Sequence, residues 1–125
     1  MIFGIGVDLC DITRIKKLYE KYDDKFARKI LTDKEFKQFK KRAIPEQFLA
    51  TRFAAKEAAV KALGTGFSNG IWFQSVEISN QESGKPQIHF HDKAKDKCEK
   101  NLIVSSHLSL SDEKNHVVAM VVLET

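Results

Sequence analysis

The sequence predicts an α+β domain in which a single, largely antiparallel sheet packs against one long central helix. Three observations carry that expectation. Apolar residues recur every three to four positions through residues 12–63, they alternate near both ends of the chain, and Pro45 to Leu63 forms an uninterrupted alanine-rich run stopped by glycine. At 125 residues, with 42% hydrophobic and 30% charged, residues 1–125 are expected to form one domain that buries its core without metal or disulfide.

Ile2-Phe3-Gly4-Ile5-Gly6-Val7-Asp8 reads as a strand ending in a carboxylate. Asp11 then suits the N-cap of a helix whose apolar stripe is Ile12, Ile15, Leu18, Tyr19 and Tyr22, with an interruption expected at Asp23-Asp24. Phe26, Ile30 and Leu31 give another turn or two, and Thr32-Asp33-Lys34-Glu35 is a capping-box sequence opening a helix with Phe36 and Phe39 inward. Pro45 starts the longest helix, which runs to Leu63 and stops at Gly64. Its many small residues imply close packing on something.

Beyond Gly66 the pattern turns β. Ile71 to Ser79, a turn through Asn80 to Lys85, and the alternating Ile88 and Phe90 predict a hairpin. A short helix about Ala94 and Cys98 follows. Next comes a strand with Leu108 and Leu110 on one face and His107, Ser109 and Ser111 on the other, and then a last apolar strand, Val117 to Leu123. There is no internal repeat, linker or low-complexity tract.

Cys10 and Cys98 lack any partner at zinc or disulfide spacing, which fits a reducing cytoplasm. The apolar N-terminal run is short and unpreceded by basic residues, and no stretch has the length of a membrane helix, so no membrane partner is expected. Charge is asymmetric: residues 1–62 carry 15 Lys and Arg against 9 Asp and Glu, and residues 63–125 carry 6 against 8. The basic half should face an anionic partner. RNA is disfavoured as that partner, because the aromatics sit at core-periodic positions and form no stacking platform.

Gly4-Ile5-Gly6 lacks the third glycine of a dinucleotide fingerprint, and glycines in a strand more often let another backbone approach. Asp8 must be exposed, cap a helix or bind something positive. Glu57 and Lys61 share one face of the long helix and are, on spacing alone, an exposed ion pair. The alanines around them suggest a tightly packed surface instead, where Asp8 and Glu57 could hold a hard cation such as magnesium and Lys61 could reach the same phosphate. His107, Ser109 and Ser111 offer polar donors, as a solvated sheet face also would. His89, His91 and His116 read as surface residues of the hairpins.

Gly4-Ile5-Gly6-Val7-Asp8-Leu9 with Arg14-Ile15, then Arg52-Phe53-Ala54-Ala55-Lys56-Glu57-Ala58 through Lys61-Ala62-Leu63-Gly64-Thr65-Gly66, then Gly84-Lys85-Pro86 and His107-Leu108-Ser109-Leu110-Ser111 resemble the holo-[acyl-carrier-protein] synthases, the small trimeric branch of the phosphopantetheinyl transferases. One departure is Asp112, where many members have histidine. The resemblance implies transfer of 4′-phosphopantetheine from coenzyme A to a serine of apo acyl carrier protein, in fatty acid biosynthesis, with release of adenosine 3′,5′-bisphosphate. It further implies magnesium at Asp8 and Glu57, and Asp8, Glu57 and Lys61 as the catalytic set, with Glu57, directly or through a metal-bound water, favoured as the base and Asp8 the alternative. Coenzyme A contacts are implied at Arg52, Lys61, Gly64, His107 and Ser109. It also implies a homotrimer, with sites between subunits.

For the carrier, a helical wheel places Arg14, Lys17, Lys21, Lys25 and Arg28 within about 80°, provided the helix runs on through Asp23-Asp24. Arg14, Lys17, Lys21 and Arg28 are the residues expected to meet the acidic carrier protein.

Overall fold

The computed structural model describes residues 1–125. Strand β1 (Ile2–Asp11) leads directly into α1 (Ile12–Tyr22), where the Asp11 carboxylate accepts from the Thr13 N–H at 2.8 Å as the N-cap. The chain breaks at Asp23, whose φ of 55° is left-handed, and continues as α2 (Asp24–Ile30) and α3 (Asp33–Phe39). The Thr32–Glu35 capping box forms in both directions. The long helix α4 (Pro45–Leu63) ends at Gly64 in the left-handed conformation that glycine adopts without strain. A 3₁₀ turn (Phe73–Ser75) precedes β2 (Val76–Asn80) and β3 (Pro86–Phe90); α5 (Asp92–Lys100), β4 (Ser105–Glu113) and β5 (His116–Glu124) complete the order.

The fold is the expected α+β arrangement of antiparallel strands against a long helix, but the strands form two sheets: β1-β5-β4, and the separate pair β2-β3. In strand β2 the Ile78 N–H donates to the buried carboxylate of Glu35 at 2.8 Å, which ties the smaller sheet to α3.

The large sheet has two unlike faces. Gly6, Cys10, Leu108, Val117, Ala119, Val121 and Leu123 are buried on the side that meets α4, in one continuous core with Leu49, Ala54, Ala58, Ala59 and Ala62. Gly4 and Gly6 make the contact possible: a Cβ on them would lie 2.0 Å from the Ala62 carbonyl oxygen and 1.8 Å from that of Ala58. The opposite face keeps Ile5, Val7, Leu9, Val118 and Met120 exposed.

Candidate active site

The two glycines fix where Asp8 falls. Two strand residues advance about 6.7 Å and four helix residues about 6 Å, so β1 and α4 keep step where they run past each other. Gly4 lies at Ala62 and Gly6 at Ala58. The next step brings Asp8 alongside the turn of α4 that carries Glu57.

Lys61 closes the group from one turn further along. Its Nζ donates to Asp8 Oδ1 at 3.1 Å and to the Val7 carbonyl at 3.0 Å, with half of its side chain in solvent while the Asp8 side chain is only 15% exposed. Lys61 therefore pairs with the strand carboxylate and not with Glu57, its neighbour by helical spacing. Burial, then the adjacent Asp8 charge, holds the Glu57 carboxyl above its usual range, against the opposing pull of Lys61 and Arg14. Asp8, Glu57, Lys61 and Arg14 thus converge from β1, α4 and α1.

No group of three or more His, Cys, Asp or Glu forms a closed metal cage. The donor set fits magnesium nonetheless, because that ion is commonly held by one or two carboxylates and takes its other ligands from water and substrate phosphates. A divalent ion would also relieve the like-charge pressure between Asp8 and Glu57.

The other expected contacts lie elsewhere on the subunit. Gly64 sits at the C-cap of α4, with open space where a side chain would stand. Arg52 is on the far side of α4 from Glu57: its guanidinium lies 4.2 Å from the Phe48 ring centroid and donates to Asn80 at 3.2 Å, and its buried Nε has no partner. Arg42 approaches the same ring at 5.0 Å, and a cleft of about 540 Å³ opens there between Arg42, Gln47, Thr51 and Asn80. Asp112 accepts a hydrogen bond from Gln47 beside it. His107 and Ser109 are on the exposed face of β4, with His107 2.6 Å from Glu124. They are separated from Asp8 by strand β5 and by the thickness of the sheet.

The basic stripe is shorter than the wheel allowed. Asp23 ends α1, so Arg14, Lys17 and Lys21 share one helix face while Lys25 and Arg28 belong to α2. Arg28 lies 3.9 Å from the Phe36 ring and so is directed towards α3.

Two features had no place in the sequence reading. One is a mostly apolar cleft of about 730 Å³ lined by Leu18, Tyr22, Phe26, Phe53, Trp72 and Phe73, with Lys25 and Lys29 also on its wall. Leu18 and Tyr22 each follow a stripe lysine by one residue, so the cleft flanks the basic face. The other is Lys56, fully buried and 2.6 Å from the equally buried Glu35. Burial pulls its ammonium below the usual range, with Glu35 holding it up in part. A lysine set among alanines on the inward side of α4 was the available signal.

The family described as ACPS, the 4′-phosphopantetheinyl transferase superfamily, matches residues 4–121. The chain belongs to that superfamily. A holo-[acyl-carrier-protein] synthase from Vibrio atlanticus is 44% identical over 124 residues, covering 99% of this chain and 98% of the relative. Among solved structures, the holo-[acyl-carrier-protein] synthase of Neisseria meningitidis superposes with a TM-score of 0.95 at 39% identity over the whole of both chains. The Helicobacter pylori enzyme, solved in complex with coenzyme A, gives 0.84 at 30% identity over 96% of this chain and 99% of that one. Within the superfamily, the branch is that of the holo-[acyl-carrier-protein] synthases.

Proposed function

We infer that this chain transfers the 4′-phosphopantetheine group of coenzyme A to a serine hydroxyl of apo acyl carrier protein, releasing adenosine 3′,5′-bisphosphate in the service of fatty acid biosynthesis. The observation that carries the mechanism is the convergence of Asp8, Glu57 and Lys61 at the edge of the sheet in a member of the synthase branch. The serine oxygen forms a bond to the phosphorus that bears the pantetheine, and the bond from that phosphorus to the bridging oxygen breaks. Magnesium held by Asp8 and Glu57 would neutralise charge on the pyrophosphate.

Glu57 accepts no hydrogen bond from the protein, and burial with the Asp8 charge beside it raises its affinity for a proton, so it is the carboxylate suited to take the serine proton. Lys61, half in solvent, can turn from Asp8 to the leaving phosphate and offset its developing charge. The unpartnered Arg52 Nε, with Arg42 at the same ring, suits an anionic group of coenzyme A remote from the reacting phosphorus.

The carrier protein docks on α1. Arg14, Lys17 and Lys21 face an acidic helical surface, and the neighbouring cleft accepts that partner's apolar side chains. The exposed apolar face of the large sheet is covered by further copies of the chain in a homotrimer. In that assembly a neighbour brings His107 and Ser109 to the Asp8 and Glu57 side. The deciding experiment is incubation with coenzyme A, magnesium and an apo carrier protein, followed by mass measurement of the carrier. A gain of one phosphopantetheine that chelator prevents is expected; an unmodified carrier would refute the assignment.

A further inference from the structure

Lys56 directly precedes the candidate base, yet its ammonium is turned the other way and has every proton committed. It donates to Glu35 Oε1 at 2.6 Å, to the Ile30 carbonyl at 2.6 Å and to the Phe73 carbonyl at 3.1 Å. Glu35 is equally occupied, accepting from Lys56, the Thr32 N–H and the Ile78 N–H. A buried ion pair seldom stabilises a fold more than apolar side chains of the same volume would, so its value lies in what it holds in place.

Here it holds the walls of the 730 Å³ cleft. Ile30, the last residue of α2, lines one side, and Phe73, in the 3₁₀ turn, lines the other. Both are fixed through their backbone carbonyls by the same nitrogen. The neighbouring α2 carbonyls of Arg28 and Lys29 are bridged to the same turn by Gln74, at 2.7 Å each. The three terminal carbonyls of α2, which its own helix cannot satisfy, are therefore used to set the distance between α2 and the turn bearing Trp72 and Phe73.

We propose that Lys56, locked by Glu35, is a positioning residue that sets the width of this cleft and so the recognition of the carrier protein's apolar side chains. The proposal rests on the carrier-docking reading above. Neither residue lines the cleft, so their effect on the carrier must pass through Ile30 and Phe73.

The test uses two variants: Lys56→Met/Glu35→Gln, which removes both charges together and leaves no buried ion unpaired, and Glu35→Asp, which keeps the pair and withdraws the carboxylate by one carbon. Each is expected to keep the wild-type affinity for coenzyme A and a turnover within about twofold, while the KM for the carrier rises about tenfold in the first and less in the second. Trp72, the only tryptophan and 63% exposed on the cleft wall, gives a readout independent of activity. Its emission and its quenching by acrylamide in the free protein should change in both variants.

An unchanged carrier KM with unchanged Trp72 quenching in either folded variant overturns the proposal, as does a loss of coenzyme A affinity in step with the carrier effect. Should the double variant fail to fold, Glu35→Asp decides by the same two measurements. If the wild-type protein loads no carrier at all, the functional reading falls, and Trp72 quenching still reports whether Lys56 sets the cleft.

Discussion

Single residues divide here into those that allow a contact and those that act through it. Gly6 and Gly64 illustrate the first kind, with different physics. Gly6→Ala would drive a Cβ into the Ala58 carbonyl and part β1 from α4, a cost of about 3 kcal/mol or more. Gly64→Ala meets open space and bears only the left-handed φ of 80°, about 1 kcal/mol. Urea midpoints should order the variants that way, and equal midpoints would mean that β1 and α4 are not in the contact described. Residues of the second kind are tested by charge. Asp8→Ala and Glu57→Ala should each abolish transfer and magnesium-dependent coenzyme A binding without altering the circular dichroism spectrum. Lys61→Met, similar in length but uncharged, should lower turnover more than it weakens binding, because its charge matters most as the leaving phosphate develops. Full activity in either carboxylate variant would remove the metal assignment, and unchanged turnover in Lys61→Met would leave that lysine only its pairing with Asp8.

At the level of elements, α1 carries the recognition argument: Ile12, Ile15 and Tyr19 face the core while Arg14, Lys17 and Lys21 face solvent. Reversing charge at Lys17 and Lys21, which lie on the stripe away from the carboxylates, should raise the KM for the carrier and flatten its dependence on salt through lost steering, with little effect on coenzyme A affinity. Equal rises in both constants would assign the stripe to coenzyme A or to the fold. Most elements could be read from the chain because each had a local cause: an Asp N-cap for α1, a capping box for α3, Pro45 and Gly64 bounding α4, alternation in β4 and a continuous apolar run in β5. Two stretches differ: β1 does not end at the Asp8 carboxylate but pairs with β5 as far as Asp11, because Leu9 and Cys10 continue the alternation between the two faces, and Ile71 to Ser79 is not one strand. Its aromatic and β-branched residues read as one strand, but Ser75 Oγ accepts from the Trp72 N–H at 3.0 Å and Lys56 takes the Phe73 carbonyl, so the first part closes into a 3₁₀ turn. Long-range capture of backbone groups leaves no periodic trace. The same holds for the Glu35–Lys56 pair, whose partners are 21 residues apart.

For the whole molecule, the two faces of the large sheet decide what one subunit can do alone. Across β1, β5 and β4, the outer face presents Ile5 beside Val122 and His107, Val7 beside Met120 and Ser109, and Leu9 beside Val118 and Ser111. Ile5, Val7 and Leu9 are 54%, 50% and 68% exposed, an apolar row that a lone chain would leave in water. The same pleat that turns these residues outward turns Asp8 inward to α4, so the polar residues of β4 and the carboxylate of β1 cannot reach one ligand within a subunit. In the proposed homotrimer, a head-to-tail ring of three copies would bring one copy's outer face near the next copy's active edge. Val7→Lys/Met120→Lys should therefore yield a monomer by sedimentation, with its Asp8–Glu57–Lys61 group intact and its transfer activity lost. A sharper outcome comes from mixed assemblies. Asp8→Ala and His107→Ala subunits, each impaired alone, should regain activity when co-expressed, because roughly a quarter of the sites in a random mixture draw both native residues from different chains. No recovery in a mixture shown to exchange subunits, with both parents impaired, would place both residues of each site in one chain and overturn the shared site.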